Sequence, residues 1–146
     1  MKRITIYTDG GSRGNPGPSA MGAAFCNENG EIFKKYSEFL GEATNNEAEY
    51  KAVIFALKKF KALFGRKIAE MSEVIIKSDS ELLVRQLNGE YKITEPRIGE
   101  LFLEIWNLKI DFKKVKFTLI PREKNKTADR LVNEELDAQG KEQKLI

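Results

Sequence analysis

The chain has 146 residues, 41% of them hydrophobic and 32% charged, with a net charge of +3, which suits one globular domain with a single core and permits, without demanding, a polyanionic partner. It contains no histidine and one cysteine, Cys26, so Ser-His and Cys-His catalysis, histidine metal ligation and an intrachain disulfide are excluded, and a structural zinc site is left without its usual ligands. No apolar run approaches the roughly 18–20 residues of a membrane span, and "MKRITIYTD" lacks the apolar stretch of a signal peptide, so a cytoplasmic, reducing compartment is the default expectation.

The first strand is expected at about 3–8, with Ile4 and Ile6 on one face and Asp9 at its end. "GGSRGNPG" then reads as a turn. The run "AMGAAFCN" gives a second strand, Asn29-Gly30 is a hairpin signal, and a third strand follows at roughly 31–40 to complete an antiparallel meander. "TNNEAEYKAVIFALKKFKALFG" is a helix: Thr44 and Glu47 fit a capping box and Gly65 a C-terminal stop. At ~100° per residue, Ala52, Val53, Ala56, Leu57, Phe60, Leu63 and Phe64 fall within about 80° of Glu49. A carboxylate is thereby placed near the centre of an apolar face, where it is costly without a partner.

"EVIIKSD" is a fourth strand ending at Asp79, followed by a short helix, "SELLVRQLNG", and a longer one from about Pro96 carrying Ile98, Leu101, Phe102 and Ile105. "VKFTLI" is a fifth strand, "PREKNK" a charged loop, and "TADRLVNEELDA" a last helix with Asp129 in its first turn. The expected order is βββαβααβα, a mixed α/β domain.

Asp9 and Asp79 end strands, and Glu49 and Asp129 begin helices. In α/β folds ligands bind where strand carboxyl ends meet helix amino ends, so the four acids are expected on one rim. Unpaired, they would raise one another's pKa. All-oxygen ligands favour Mg²⁺ or Mn²⁺, and two ions about 3.5–4 Å apart can serve a phosphodiester hydrolysis. The competing reading is that acids are generally favourable at strand ends and helix N-termini; Glu49 is the residue it explains least well.

"YTDGGSRGNPGP", "TNNEAEYKAVIFAL", "KSDSELLVRQLNG" and "PREKNKTADRLVNEEL", in this order and spacing, resemble a type 1 ribonuclease H, in the compact archaeal and bacterial form without a hybrid-binding domain. The resemblance implies a ribonuclease H-like α/β fold, a five-stranded mixed sheet flanked by helices. It also implies one catalytic domain over 1–146, with about 140–146 a flexible or docked tail. Asp9, Glu49, Asp79 and Asp129 match the family's metal-binding acids, and the carbonyl of Gly10 is expected near a metal. Two Mg²⁺, replaceable by Mn²⁺, would serve cleavage of the RNA strand of an RNA/DNA hybrid to 5′-phosphate and 3′-hydroxyl ends. Gly11, Ser12 and Arg13 are expected to approach the minor groove, where RNA shows its 2′-hydroxyls. Asn15, Asn45, Asn46 and Gln86 match polar hybrid contacts, and Thr44 a phosphate contact.

Ordinary readings stand beside these: a cap for Thr44, first-turn residues for Asn45 and Asn46, a solvated helix face for Gln86, packing for Trp106. The chain departs from many family members in lacking a loop histidine, for which Arg122 or Glu123 is the candidate replacement. It also lacks a basic protrusion, which "NGEYKITEPRI" is too short to form. A resolvase- or exonuclease-type relative and a non-catalytic hybrid-binding module are the alternatives. A monomer is the default.

Overall fold

The computed structural model describes residues 2–145, with side chains from residue 3 to residue 141. Five strands, β1 (Lys2–Ser12), β2 (Gly17–Cys26), β3 (Ile32–Ala43), β4 (Ser72–Ser78) and β5 (Lys114–Leu119), form one sheet in the order β3-β2-β1-β4-β5. The first three make the expected antiparallel meander, while β4 and β5 run parallel to β1. The helices are α1 (Asn45–Phe64), α2 (Arg66–Glu70), α3 (Glu81–Leu87), α4 (Pro96–Lys109) and α5 (Lys126–Leu145).

Strand alternation sets the layers. Ile4, Ile6, Val74, Ile76, Val115 and Phe117 point to one side and join Val53, Leu57 and Phe60 of α1 and Ile98, Leu101 and Ile105 of α4 in the main core. On the other side α5 packs over β2, β1 and β3, where Val132 and Leu136 meet Ala20 and Phe39. That approach is close at Gly22, where a Cβ would lie 2.6 Å from the Ala128 carbonyl oxygen and 2.8 Å from Leu131 Cβ. A bare backbone is what lets α5 settle there.

The structure differs from expectation at several points. β1 does not end at residue 8. Asp9, Gly10, Gly11 and Ser12 pair with Gly22, Met21, Ala20 and Ser19 of β2, so the glycine run is strand and the turn is confined to 13–16. The pairing of β1 with β4 stops at Tyr7↔Lys77. The β1–β2 hairpin therefore overshoots the parallel half of the sheet, and the gap it leaves beside the end of β4 becomes a cleft. The short α2 is additional to the expected order, "PREKNK" contains a 3-10 turn at Arg122–Lys124, and α5 runs beyond "TADRLVNEELDA". Leu63, assigned to the apolar face of α1, is 38% exposed, while Phe60 is buried and Phe64 packs against the core. The alternatives of a flexible or a docked tail at about 140–146 concern, at Leu145 and Ile146, side chains outside the described residues.

Thr44 is the N-cap of α1 and forms the full capping box: its Oγ1 accepts from the Glu47 amide at 3.1 Å, and its own amide donates to Glu47 Oε1 at 3.3 Å. Thr44→Ala is expected to cost about 1 kcal/mol, a fall in Tm of about 4 °C readable by thermal melting, and Thr44→Ser to restore most of it.

Candidate active site

The cleft at the end of the parallel strands has a volume of about 410 Å³ and is lined by Asp9, Glu49, Asp79 and Asp129, the Gly10–Arg13 backbone, Asn45 and Arg122, among others. Each acid is delivered by a different element. Asp9 sits on the overshooting part of β1, Glu49 in the second turn of α1, Asp79 just past β4, and Asp129 in the first turn of α5.

Asp9, Glu49 and Asp79 each bring a carboxylate oxygen within 4.8 Å of the others. Asp129 lies beside this triad rather than within it, close enough for its charge to act on both Asp9 and Asp79.

Glu49 reaches the triad from the apolar face of α1, and β1 supplies its partner. The Gly10 amide donates to Glu49 Oε1 at 2.7 Å. Two further bonds stitch β1 and its turn to the start of α1: the Ser12 amide donates to Asn45 Oδ1 at 2.9 Å, and the Asn45 amide to Asn15 Oδ1 at 3.0 Å. Ser12 Oγ donates to the Gly14 carbonyl, and Arg13 pairs with Asp137 at 2.7 Å. The glycine-rich stretch is thus a braced ridge along one wall of the cleft.

The electrostatics are those of a site short of positive charge. Burial, then the charges of Asp79 and Asp129, push Asp9 up from 3.8 to about 7. Burial, then Asp9 and Asp79, raise Glu49 well above the usual carboxylate range. Burial also raises Asp79, against the Arg122 guanidinium, which holds it down. Carboxylates crowded in this way fit a hard divalent cation: the donors are all oxygen, and a bound ion would reverse each of these shifts.

The remaining expected residues divide. Arg122 faces the cleft, whereas Glu123 lines a separate pocket with Tyr7 and Lys124. Asn46, in the first turn of α1, has a buried Oδ1 without a hydrogen-bond partner and does not line the cleft. Gln86 departs from a solvated or substrate-facing position. It is 7% exposed, accepts from the Tyr50 hydroxyl at 2.9 Å and donates to the Lys92 carbonyl at 3.2 Å; its amide is used in tying α1 to the segment after α3.

Asn125 was named in a motif but given no role. It is 1% exposed, and its Nδ2 donates to the Thr8 carbonyl at 2.9 Å. A hydrogen bond from the same side chain holds the Asp79 carboxyl down. One buried amide thus links the residue before Asp9 to Asp79. A buried asparagine in a charged loop has no periodic signature, so only its place in the motif pointed to it. Asn133, which donates to the Asp129 carbonyl at 3.0 Å, was missed for the same reason. Asn125→Ala is expected to cost about 1–3 kcal/mol by leaving the Thr8 carbonyl unpaired. It is also expected to weaken Mn²⁺ binding in calorimetry; unchanged affinity with a lowered Tm would reduce Asn125 to a packing residue.

A family model described as reverse transcriptase-like matches residues 7–135. The ribonuclease HI of Halobacterium salinarum is 37% identical over 92% of this chain and 65% of its own length. The bifunctional protein Rv2228c of Mycobacterium tuberculosis is 34% identical over 93% of this chain and 36% of its own length. The chain thus spans about a third of the first curated relatives it matches. Among solved structures, LC11-RNase H1 in complex with an RNA/DNA hybrid has a TM-score of 0.85 at 48% identity, covering 90% of this chain and 94% of that one. The RNase H1 of the halophilic archaeon Halobacterium salinarum has a TM-score of 0.85 at 37% identity, covering 93% and 98%. Among the described residues no helix is long and apolar enough to cross a membrane.

Proposed function

The chain belongs to the type 1 ribonuclease H family, and on that premise we propose that it is a metal-dependent endoribonuclease that hydrolyses the RNA strand of RNA/DNA hybrids, leaving 5′-phosphate and 3′-hydroxyl ends. The observation that carries this reading is the Asp9, Glu49 and Asp79 triad, with oxygens within 4.8 Å of one another, set beside a ridge of nearly bare backbone. Asp9, Glu49, Asp79 and Asp129 would hold two Mg²⁺, with Mn²⁺ able to substitute. Ions held there would supply activation of the attacking water and charge neutralisation at the leaving oxygen.

The chain's own groups do the rest. The Gly10 amide fixes one oxygen of Glu49 and leaves the other to the site. Asn125 sets Asp79 relative to β1. Arg122, facing Asp79 on a short loop, supplies a guanidinium for a phosphate or leaving group in place of a histidine. The Gly11–Arg13 backbone, held by Asn45 and Asn15, offers a surface without bulky side chains to a minor groove and its 2′-hydroxyls. Thr44 and Asn46 flank it as contacts to the hybrid. The reading includes a monomer working in the cytoplasm.

One gel tests the assignment. Labelled RNA/DNA hybrid, single-stranded RNA, duplex RNA and duplex DNA are each incubated with Mg²⁺, Mn²⁺ or EDTA. Cutting of the RNA strand of the hybrid with metal, and none in EDTA, is expected. Cutting of DNA would favour a resolvase- or exonuclease-type relative, and binding without cutting under every metal condition a hybrid-binding module.

A further inference from the structure

The core side of the parallel half-sheet is buried, but its opposite side is open. α5 packs on β2, β1 and β3, and beyond it Arg3, Lys114 and Lys116 are exposed. With Lys77 they place four cations on this face. Two acids temper them: Glu73, shared between Arg3 and Lys116 at 3.3 Å each, and Glu28, which accepts from the Arg3 amide at 3.3 Å. In a chain whose net charge is +3, this is a concentrated positive surface.

The surface is continuous with the catalytic rim. Tyr7 lies two residues before Asp9 on the same side of β1, and Lys77 two residues before Asp79, with Lys77 Nζ 5.4 Å from the Tyr7 ring centre. Beside Tyr7 a pocket of about 210 Å³ opens between Cys26, Ile32, Glu123 and Lys124 of the 3-10 turn and Lys126 at the start of α5.

We propose that this open sheet face carries a single-stranded extension of the nucleic-acid substrate, its phosphates laid on Arg3, Lys77, Lys114 and Lys116 and a base against Tyr7. The inference rests on the nuclease reading and extends it. The four residue steps of strand from Arg3 to Tyr7 span about 13 Å, room for three or four phosphates at the ~3.4 Å spacing of a stacked strand. Three strands make a face about 10 Å wide, which suits a strand better than a duplex. Tyr7 is half-buried but opens on that pocket, and basic residues around an accessible aromatic ring are the combination that holds single strands without reading sequence. The cleft itself sets four carboxylates against two arginines, Arg13 and Arg122, so further attraction for phosphate is expected from surfaces around it.

The test uses a blunt hybrid and the same hybrid with a single-stranded tail of ~10 nucleotides, with the whole chain and with Lys77→Gln/Lys114→Gln. That variant keeps the Arg3–Glu73–Lys116 group and so the fold, which thermal melting checks. For the wild type the tail is expected to lower KM about tenfold at low salt, with kcat unchanged. The variant is expected to lose that gain while cutting the blunt hybrid normally, and its salt slope on the tailed hybrid to fall by about 1.4, at ~0.7 per lost contact. No gain from the tail in the wild type, or an equal loss on blunt and tailed hybrids, would overturn the proposal. So would equal competition by polyglutamate and by an oligonucleotide of the same charge, which would mark the face as a site for an acidic protein. Binding of both hybrids without Mg²⁺, followed by anisotropy, reads the face even if no hybrid is cut, so failure of the nuclease reading is seen separately.

Discussion

Asp9→Asn is expected to abolish metal-dependent hybrid cleavage and, in the same protein, to raise the Tm measured in EDTA at pH 8. The first effect follows from removing a charged ligand from a three-carboxylate cluster: a loss of a thousandfold or more in kcat, ~4 kcal/mol. Glu49→Gln and Asp79→Asn should lose comparable activity. Asp129→Asn, which stands outside the triad, should lose less. The second effect follows from the pKa. Asp9 rises from 3.8 to about 7 on folding because burial and the charges of Asp79 and Asp129 disfavour its ionised form. The folded state therefore binds more protons than the unfolded one. The contribution to stability is fully present below about pH 4 and is lost as pH rises through about 7. An asparagine never ionises, so the Tm gap between Asp9→Asn and wild type should widen from pH 5 to pH 8, toward an advantage on the order of 2 kcal/mol. Saturating Mg²⁺ should close the gap from the wild-type side, since binding to the folded state alone stabilises it. A pH-independent gap, or full activity in any of the three triad variants, would remove the metal-site assignment.

The coupling of these two effects explains which parts of the site were legible in the sequence. Glu49 stood out because it contradicted its surroundings: a carboxylate on the apolar stripe of a helix violates the pattern that builds the helix, and function is a common reason for such a violation. Asp79 was legible as an acid at a strand end, Asp9 as an acid after an apolar strand run, although β1 continues past it to Ser12, and the Thr44 capping box from local chemistry alone. What stayed hidden depends on tertiary contact. The continuation of β1 through Gly10–Ser12 is dictated by pairing with β2, and glycines carry no β-propensity that could announce it. Gln86 reads as a helix-surface residue until Tyr50 and the Lys92 carbonyl surround it. Asn125 acts through a bond to Thr8, 117 positions away in the chain. The offset of Asp129 from the triad is likewise a matter of how α5 sits on β2, which Gly22 permits.

Gly10→Ala and Gly11→Ala, one residue apart, are expected to fail in different ways. A Cβ on Gly10 would lie 2.3 Å from the backbone carbon and oxygen of Ala48 and 2.5 Å from the Glu49 amide nitrogen. These are backbone atoms of α1, so no side chain can turn aside; β1 and α1 must separate. The move would stretch the Gly10–Glu49 bond of 2.7 Å and carry Glu49 away from Asp9 and Asp79. A cost of about 3 kcal/mol or more in stability is expected, with a loss of a hundredfold or more in kcat from displacement of the carboxylate by about 1 Å. A Cβ on Gly11 meets Val132 Cγ1 at 3.6 Å and Asn45 Oδ1 at 4.0 Å, ordinary contacts. The fold should hold, with Tm changed by about 2 °C or less. If the backbone here approaches the substrate, the added methyl stands between them, and the effect should appear as a raised KM for hybrid with kcat less affected. Melting curves and steady-state kinetics on the two variants separate the roles. On the proposed reading, Gly10 is glycine because α1 comes close, and Gly11 because the substrate does. A Gly11→Ala enzyme with wild-type KM would leave the second half of that statement without support, and a stable, active Gly10→Ala enzyme the first.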